Sequence, residues 1–223
     1  MQKVSSVFFI ILNILFLSSC LEYGDSRKGV EKKIEKNYGE IIEEYAELFD
    51  LPSEYLKALA VIECSGDKNI KPRFEEKVYR KLLKVKKNKM KNYENITPEI
   101  LKNVSDSTLR DMSKSWGPFQ LMGYKCVWIG IDIQELKKNS VKWGIYWINK
   151  SYGNLLRTHK YKDAFHLHNS GRMYPADGNP LTFDPDYVEN GLFYLEKFHR
   201  ADSIRNLRRD QVIFSIDSES GDE

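Results

Sequence analysis

Cysteine is scarce in this sequence: three residues in 223 form no disulfide framework and show no metal-ligand spacing. No charge sign dominates, because 35 lysines and arginines stand against 32 aspartates and glutamates. The chain therefore lacks the basic surplus of a general nucleic-acid binder. Internal repeats are missing and strand-like alternation is rare, so helical spacing is the main structural signal. It implies a mainly α chain, α+β at most, without an implied cofactor.

A long apolar run occurs at the amino terminus, where "VFFIILNILFL" (7–17) follows Lys3. The run is short for a membrane span and has the composition of a secretory signal. Its end, "LSSC" from Leu17 to Cys20, resembles a bacterial lipobox, which implies a lipid on Cys20 and attachment to a membrane surface without crossing it. The expected organisation is a signal over 1–19, a tether over 20–30, one domain over 31–200 and an extension over 201–223 that ends in a disordered acidic tail. Export also permits a bridge between Cys64 and Cys126, against the alternative of two buried thiols.

Within the domain, apolar residues at Val30, Ile34, Tyr38, Ile41, Ile42, Tyr45 and Leu48 predict one helix. "DLPSEYLKALAVIECSG" predicts a second, with Asp50 and Ser53 as candidate caps and Gly66 as its stop. The lysine-rich stretch 75–91 reads as a solvated helix face, or as a patch attracted to anionic polymers. Residues 134–157 read as a core helix whose Trp143 and Trp147 favour packing over sugar stacking. A further helix resumes at "YVENGLFYLEKFHR".

The chemistry starts from an oddity in "ALAVIECSGD". Glu63 shares a helix face with Leu59 and Ala60, where a carboxylate is costly unless it is paired, hydrogen bonded or protonated. Apolar surroundings disfavour the charged form, which suits a group that must donate a proton near neutral pH. The alternative for Glu63 is a structural ion pair with a lysine. Further along stand Gln120 in "SWGPFQLMGY", Asn169 in "HLHNSG" and Tyr187 in "DPDYVENG". His166 and His168 would share a face only in an extended chain, and no third ligand has suitable spacing, so no metal site is expected.

In this order, the four residues resemble the lysozyme-like superfamily that includes soluble lytic transglycosylases and goose-type lysozymes. "ALAVIE", "RFE" with "VYRKL", and "SWGPFQLMGY" are similar to a phage and bacterial N-acetylmuramidase family, over about residues 51–194. Cys64 stands between the glutamate and Ser65-Gly66, and His168 occupies a position where a tyrosine is common. The resemblance implies a single lysozyme-like domain of goose-type helical architecture. It implies cleavage of the β-1,4 bond between N-acetylmuramic acid and N-acetylglucosamine, with Glu63 as the acid and Gln120, Asn169 and Tyr187 lining the cleft. Trp116, Tyr124 and Tyr174 are candidates for stacking on sugar rings, with core packing as the alternative for each.

Transglycosylation needs only Glu63, acting twice to give a 1,6-anhydro product. Hydrolysis would draw on a second carboxylate, Glu75 or Asp67. A noncatalytic glycan-binding envelope lipoprotein is the competing class. The expected partners are peptidoglycan strands and, through the Cys20 lipid, a membrane on the periplasmic side or at the cell surface, with the protein acting as a monomer.

Overall fold

The chain is mainly α, with one small three-stranded sheet. The computed structural model describes residues 29–219, and side chains as far as residue 204. Cys20, the apolar run and most of the tether lie outside the described residues. No helix among the described residues is long and apolar enough to cross a membrane.

The first expected helix is three pieces in series: α1 (Val30–Ile34), a π turn (Glu35–Gly39) and α2 (Glu40–Phe49). Its buried stripe is Val30, Ile34, Tyr38, Ile42 and Ala46, a spacing of four throughout. On a regular α-helix such a repeat drifts by about 40° per step. The wider π turn takes up that drift and keeps the stripe facing one way. Ile41 and Leu48, counted in the stripe from sequence, are exposed.

Asp50 then adopts a left-handed conformation at the end of α2 and Pro52 occupies the next N-cap, with no side-chain capping bond. Neither expected cap is used, because the turn at Asp50 and the fixed φ of Pro52 already redirect the chain.

Helix α3 (Ser53–Cys64) is the centre of the molecule. Every residue from Tyr55 to Val61 is buried, which is the mark of a helix covered on all sides. Lys57 is among them, and its ammonium is met by Glu43 of α2 at 2.6 Å and Glu35 of the π turn at 3.0 Å. The helix ends through Ser65 and Gly66, both at positive φ. A Cβ on Gly66 would come within 2.9 Å of the Lys33 side chain and 3.2 Å of the Ile34 nitrogen. Asn37 donates to the Gly66 carbonyl at 2.8 Å, and the Tyr38 hydroxyl donates to the Asp67 carbonyl. One π turn thus grips both the middle of α3, through Glu35, and its end.

Beyond α3 come β1 (Arg73–Phe74), α4 (Glu76–Lys86), α5 (Pro98–Leu101) and α6 (Asp106–Met112). Next are β2 (Lys114–Trp116), β3 (Leu121–Met122), a 3-10 turn (Gly123–Lys125) and α7 (Cys126–Ile129). The antiparallel sheet has the order β1-β2-β3, with Phe74 opposite Lys114 and Ser115 opposite Met122. The "WGPFQLM" segment is therefore the connection of a short hairpin, and the 3-10 turn and α7 follow it. Strands of two or three residues are too short to show alternation. Leu82 and Val85 of α4 join Leu109, Met112 and Tyr124 in a satellite core, while its lysines face outward.

The expected helix 134–157 divides into α8 (Ile133–Lys138) and α9 (Ser140–Arg157), and α9 is itself kinked at Tyr152 (φ −152°, ψ 21°). It is followed by α10 (Tyr161–Ser170) and α11 (Tyr187–Glu219), whose backbone enters the acidic stretch expected to be disordered. Helix α11 packs extensively along α3.

Burial alone would lower the Lys57 pKa, but the hydrogen bonds it donates to Glu43 and Glu35, with the charges of Glu35 and Asp202, hold it above its ordinary value. A raised lysine stabilises the fold fully below its unfolded pKa and loses that contribution as pH rises through the folded one. Lys57→Ala should cost about 3–5 kcal/mol in urea unfolding at pH 7. Lys57→Met, which fills the space without charge, should lose less stability than the parent between pH 9 and pH values above about 10.5.

Candidate active site

Glu63 lies in the last turn of α3, and its side chain is 14% exposed. Its surroundings are polar. The hydroxyl of Tyr187, the first residue of α11, donates to Glu63 Oε1. His168 Nε2 of α10 stands 3.7 Å from the same oxygen, and Asn169 is hydrogen bonded to Tyr187. The apolar niche expected from sequence is thus corrected: the face shared with Leu59 and Ala60 is buried, but the carboxyl at its end meets a hydroxyl and an imidazole. The periodicity of α3 describes only its own faces, whereas these groups arrive from helices formed about a hundred residues later.

Local structure fixes each partner. Asp184 Oδ1 accepts from the Asp186 backbone N–H at 3.0 Å and the Asp184 carbonyl from that of Tyr187 at 3.2 Å, which sets where α11 begins. The kink in α9 places the buried Tyr152 hydroxyl 2.6 Å from His168 Nδ1. The Phe119 carbonyl also accepts from His168. The Tyr55 hydroxyl, fully buried, lies against Tyr152 without a hydrogen bond of good geometry.

Burial, together with the charge of Glu63 and its hydrogen bond, holds the Tyr187 pKa far above its ordinary value. Burial does the same for Tyr152, helped by Tyr55. Both hydroxyls therefore keep their protons and serve as donors through the neutral range. Burial lowers His168, and the opposing pull of Glu63 and Phe119 is smaller, so this imidazole is neutral at pH 7.

Beside this cluster is a cleft of about 430 Å³, bordered by Gln120, Tyr124, Trp147, Tyr152, His168 and Asn169. Glu94 and Lys125 also line it, with their charged groups 4.0 Å apart. Burial lowers the Lys125 pKa, and its ammonium lies 4.5 Å from the Trp147 ring centroid. Gln120 is at positive φ. Its Oε1 accepts from Ser115 at 2.7 Å, and its Nε2 donates to the Gly117 carbonyl at 2.9 Å, so most of its amide is spent on holding the hairpin turn.

The fold therefore brings Glu63, Asn169 and Tyr187 into contact and sets Gln120 and Tyr124 on the adjoining wall. The other candidates lie elsewhere. Asp67 is 67% exposed and pairs with Lys33 at 3.4 Å. Glu75, at the junction of β1 and α4, lies 2.6 Å from Arg73 Nε. Neither is among the residues that line this cleft: the turn after α3 leaves Asp67 exposed, and Glu75 is paired with Arg73.

Trp116 is buried, with Lys114 and Lys137 over its ring and its N–H donated to the Asp111 carbonyl at 3.0 Å. Tyr174 packs on His166, with Lys162 3.9 Å from its ring centroid and its hydroxyl on the Gly178 carbonyl. Neither ring lines the cleft: Trp116 is packed in the interior, and Tyr174 is partly exposed beside His166.

The two cysteines in the domain are free. Cys64 bonds the Ala60 carbonyl, and burial pushes its pKa to about 11 and that of Cys126 to about 12. "HLH" is helical, which separates its two imidazoles. His166 Nδ1 meets the Arg172 carbonyl at 2.7 Å, and its Nε2 accepts from the Leu181 N–H at 2.9 Å. Among the described residues no His, Cys, Asp or Glu group of three or more comes together as a metal site.

Sequence reasoning missed Tyr152, Glu94 and Lys125 as site residues and favoured packing for Trp147. The only local signal was a Tyr-Gly pair inside a helical stretch. Comparison with known families, with characterised proteins and with solved structures finds no match for this chain.

Removing the Tyr187 hydroxyl leaves a nearly buried carboxyl short of its donor. Tyr187→Phe should lower stability by about 1.5–3 kcal/mol at pH 7 in denaturant titration. An unchanged midpoint would show that the bond carries no net stability.

Proposed function

We propose that the protein cleaves the β-1,4 bond between N-acetylmuramic acid and N-acetylglucosamine in peptidoglycan, as a lytic transglycosylase of lysozyme-like type. The observation that carries this reading is the convergence of Glu63, Tyr187, Asn169 and His168 beside the cleft that Gln120 borders. Three separated positions singled out in the sequence, Glu63, Asn169 and Tyr187, meet at one place with Gln120 on the adjoining wall, and a chance resemblance gives no reason for that.

Glu63 is the general acid and protonates the leaving glycosidic oxygen as the C1–O bond breaks. The resulting carboxylate takes the proton from the muramic acid C6 hydroxyl, whose oxygen bonds to C1 and closes the 1,6-anhydro ring. Protons balance and no water is consumed. Tyr187 orients the carboxyl, while Asn169 and the free N–H of Gln120 offer bonds to acetamido and hydroxyl groups. Trp147 and Tyr124 present aromatic surface to sugar rings. An amino-terminal lipid on Cys20 would hold the domain at the cell envelope, where its substrate lies.

Because neither Asp67 nor Glu75 lines the cleft, the one-carboxylate route is favoured. A hydrolytic outcome would turn instead to Glu94, the carboxylate that lines the cleft.

Purified sacculi digested with the full chain should release muropeptides lighter by one water than muramidase products. Glu63→Gln should reduce release at least about 100-fold. Release at the parental rate by Glu63→Gln sinks the reading, and products with ordinary reducing ends replace transglycosylation by hydrolysis.

A further inference from the structure

The reaction just proposed asks one carboxyl to give up a proton and later to take one back. The structure places a second titratable group against it. His168 Nε2 is 3.7 Å from Glu63 Oε1, and the two side chains are 13% and 14% exposed. The imidazole is held from two further sides, by the Tyr152 hydroxyl at Nδ1 and by the Phe119 carbonyl. The hydroxyl can donate and the carbonyl can only accept, while the carboxyl accepts through its unprotonated oxygen. The tautomer that satisfies all three carries its proton on Nε2 and accepts from Tyr152 at Nδ1.

The other titratable groups around this ring are few. Tyr152 comes from α9, Tyr187 from α11 and Tyr55 from the body of α3, and burial holds all three hydroxyls protonated. Lys125 and Glu94 line the same cleft and face each other. Glu63 and His168 are thus the carboxyl and imidazole in direct reach of each other, and at 3.7 Å the charge on one bears on the other.

Resting on the transglycosylase reading, we propose that Glu63 and His168 work as one proton-sharing pair in which His168 is the positioning residue. The working state holds a single proton, on Glu63, beside a neutral imidazole anchored by Tyr152. Loss of that proton removes the acid. Gain of a second places a cation on His168, next to a sugar ring that develops positive charge as the glycosidic bond breaks. That like charge opposes the transition state and turns the site off in acid. Tyr152 keeps the ring oriented, and its kink in α9 serves that contact.

The test compares cleavage of purified sacculi from pH 4 to pH 9 by the full-length parent and by His168→Gln, whose amide retains an N–H donor but does not titrate. The parent should give a bell-shaped profile. His168→Gln should lose the acid limb and keep the alkaline one, with kcat lowered by up to about 100-fold and KM little changed. A merely structural role would lower the rate at every pH without altering the profile, and superimposable profiles overturn the proposal.

A second measurement needs no turnover. The His168 ring nitrogens, followed by NMR from pH 4 to pH 9, should shift twice in the parent, once as the ring gains its proton in acid and once as its neighbour loses one, and Glu63→Gln should keep the first step and lose the second. A single step in the parent overturns the pairing. A parent that cleaves no glycan at any pH overturns the transglycosylase reading instead, and leaves the NMR comparison to decide the pair.

Discussion

A helix with no face to water is the constraint from which the rest of this architecture follows. Seven consecutive residues of α3, Tyr55 to Val61, are buried, so neighbours must cover it on every side and it can meet solvent only at its ends. Lys57 shows how strict the requirement is. Its charge cannot leave the interior, so two carboxylates are brought to it, one of them from the π turn that also holds the end of the helix. Glu63 sits at that end, where the backbone is still rigid and the covering elements separate. A side chain in such a place is fixed in position yet open to a ligand, which a surface loop does not offer so readily.

The carboxyl is surrounded by polar groups, and this changes the chemistry that can be built around it. An oily pocket would act on Glu63 through desolvation alone. Here Tyr187 supplies a donor and His168 a group that can hold or release a proton. The oxygen facing them is therefore oriented as well as shielded. The cleft is mixed in the same way, with Trp147 and Tyr124 giving apolar surface and Lys125 and Glu94 giving opposite charges.

Much of the helical framework was legible because amphipathic spacing survives in α2 and α4, and because Glu63 violated that spacing in α3. Of the residues named through a resemblance to a motif series, Gln120 and Asn169 line the cleft and Tyr187 meets Glu63 beside it. The rest was hidden for physical reasons. The hairpin at Gln120 is too short to alternate, the π turn leaves no compositional mark, and the break at Tyr152 is a backbone event inside an apolar stretch. Trp116 and Tyr174 were ambiguous because an aromatic ring reads alike whether lysines or sugars cover it. Asp67 and Glu75 were candidates for a second carboxylate, and neither lines the cleft, where the carboxylate is Glu94.

Glu63 and Tyr187 are separated by 124 positions, and that gap has a temporal meaning. A ribosome releases the acid-bearing helix long before the residue that completes its setting, and contacts across so many positions form late. The unfinished polypeptide therefore holds a carboxyl without its companions, and the cluster is complete only when the closing helix docks. Order of synthesis alone sets when these side chains can first meet.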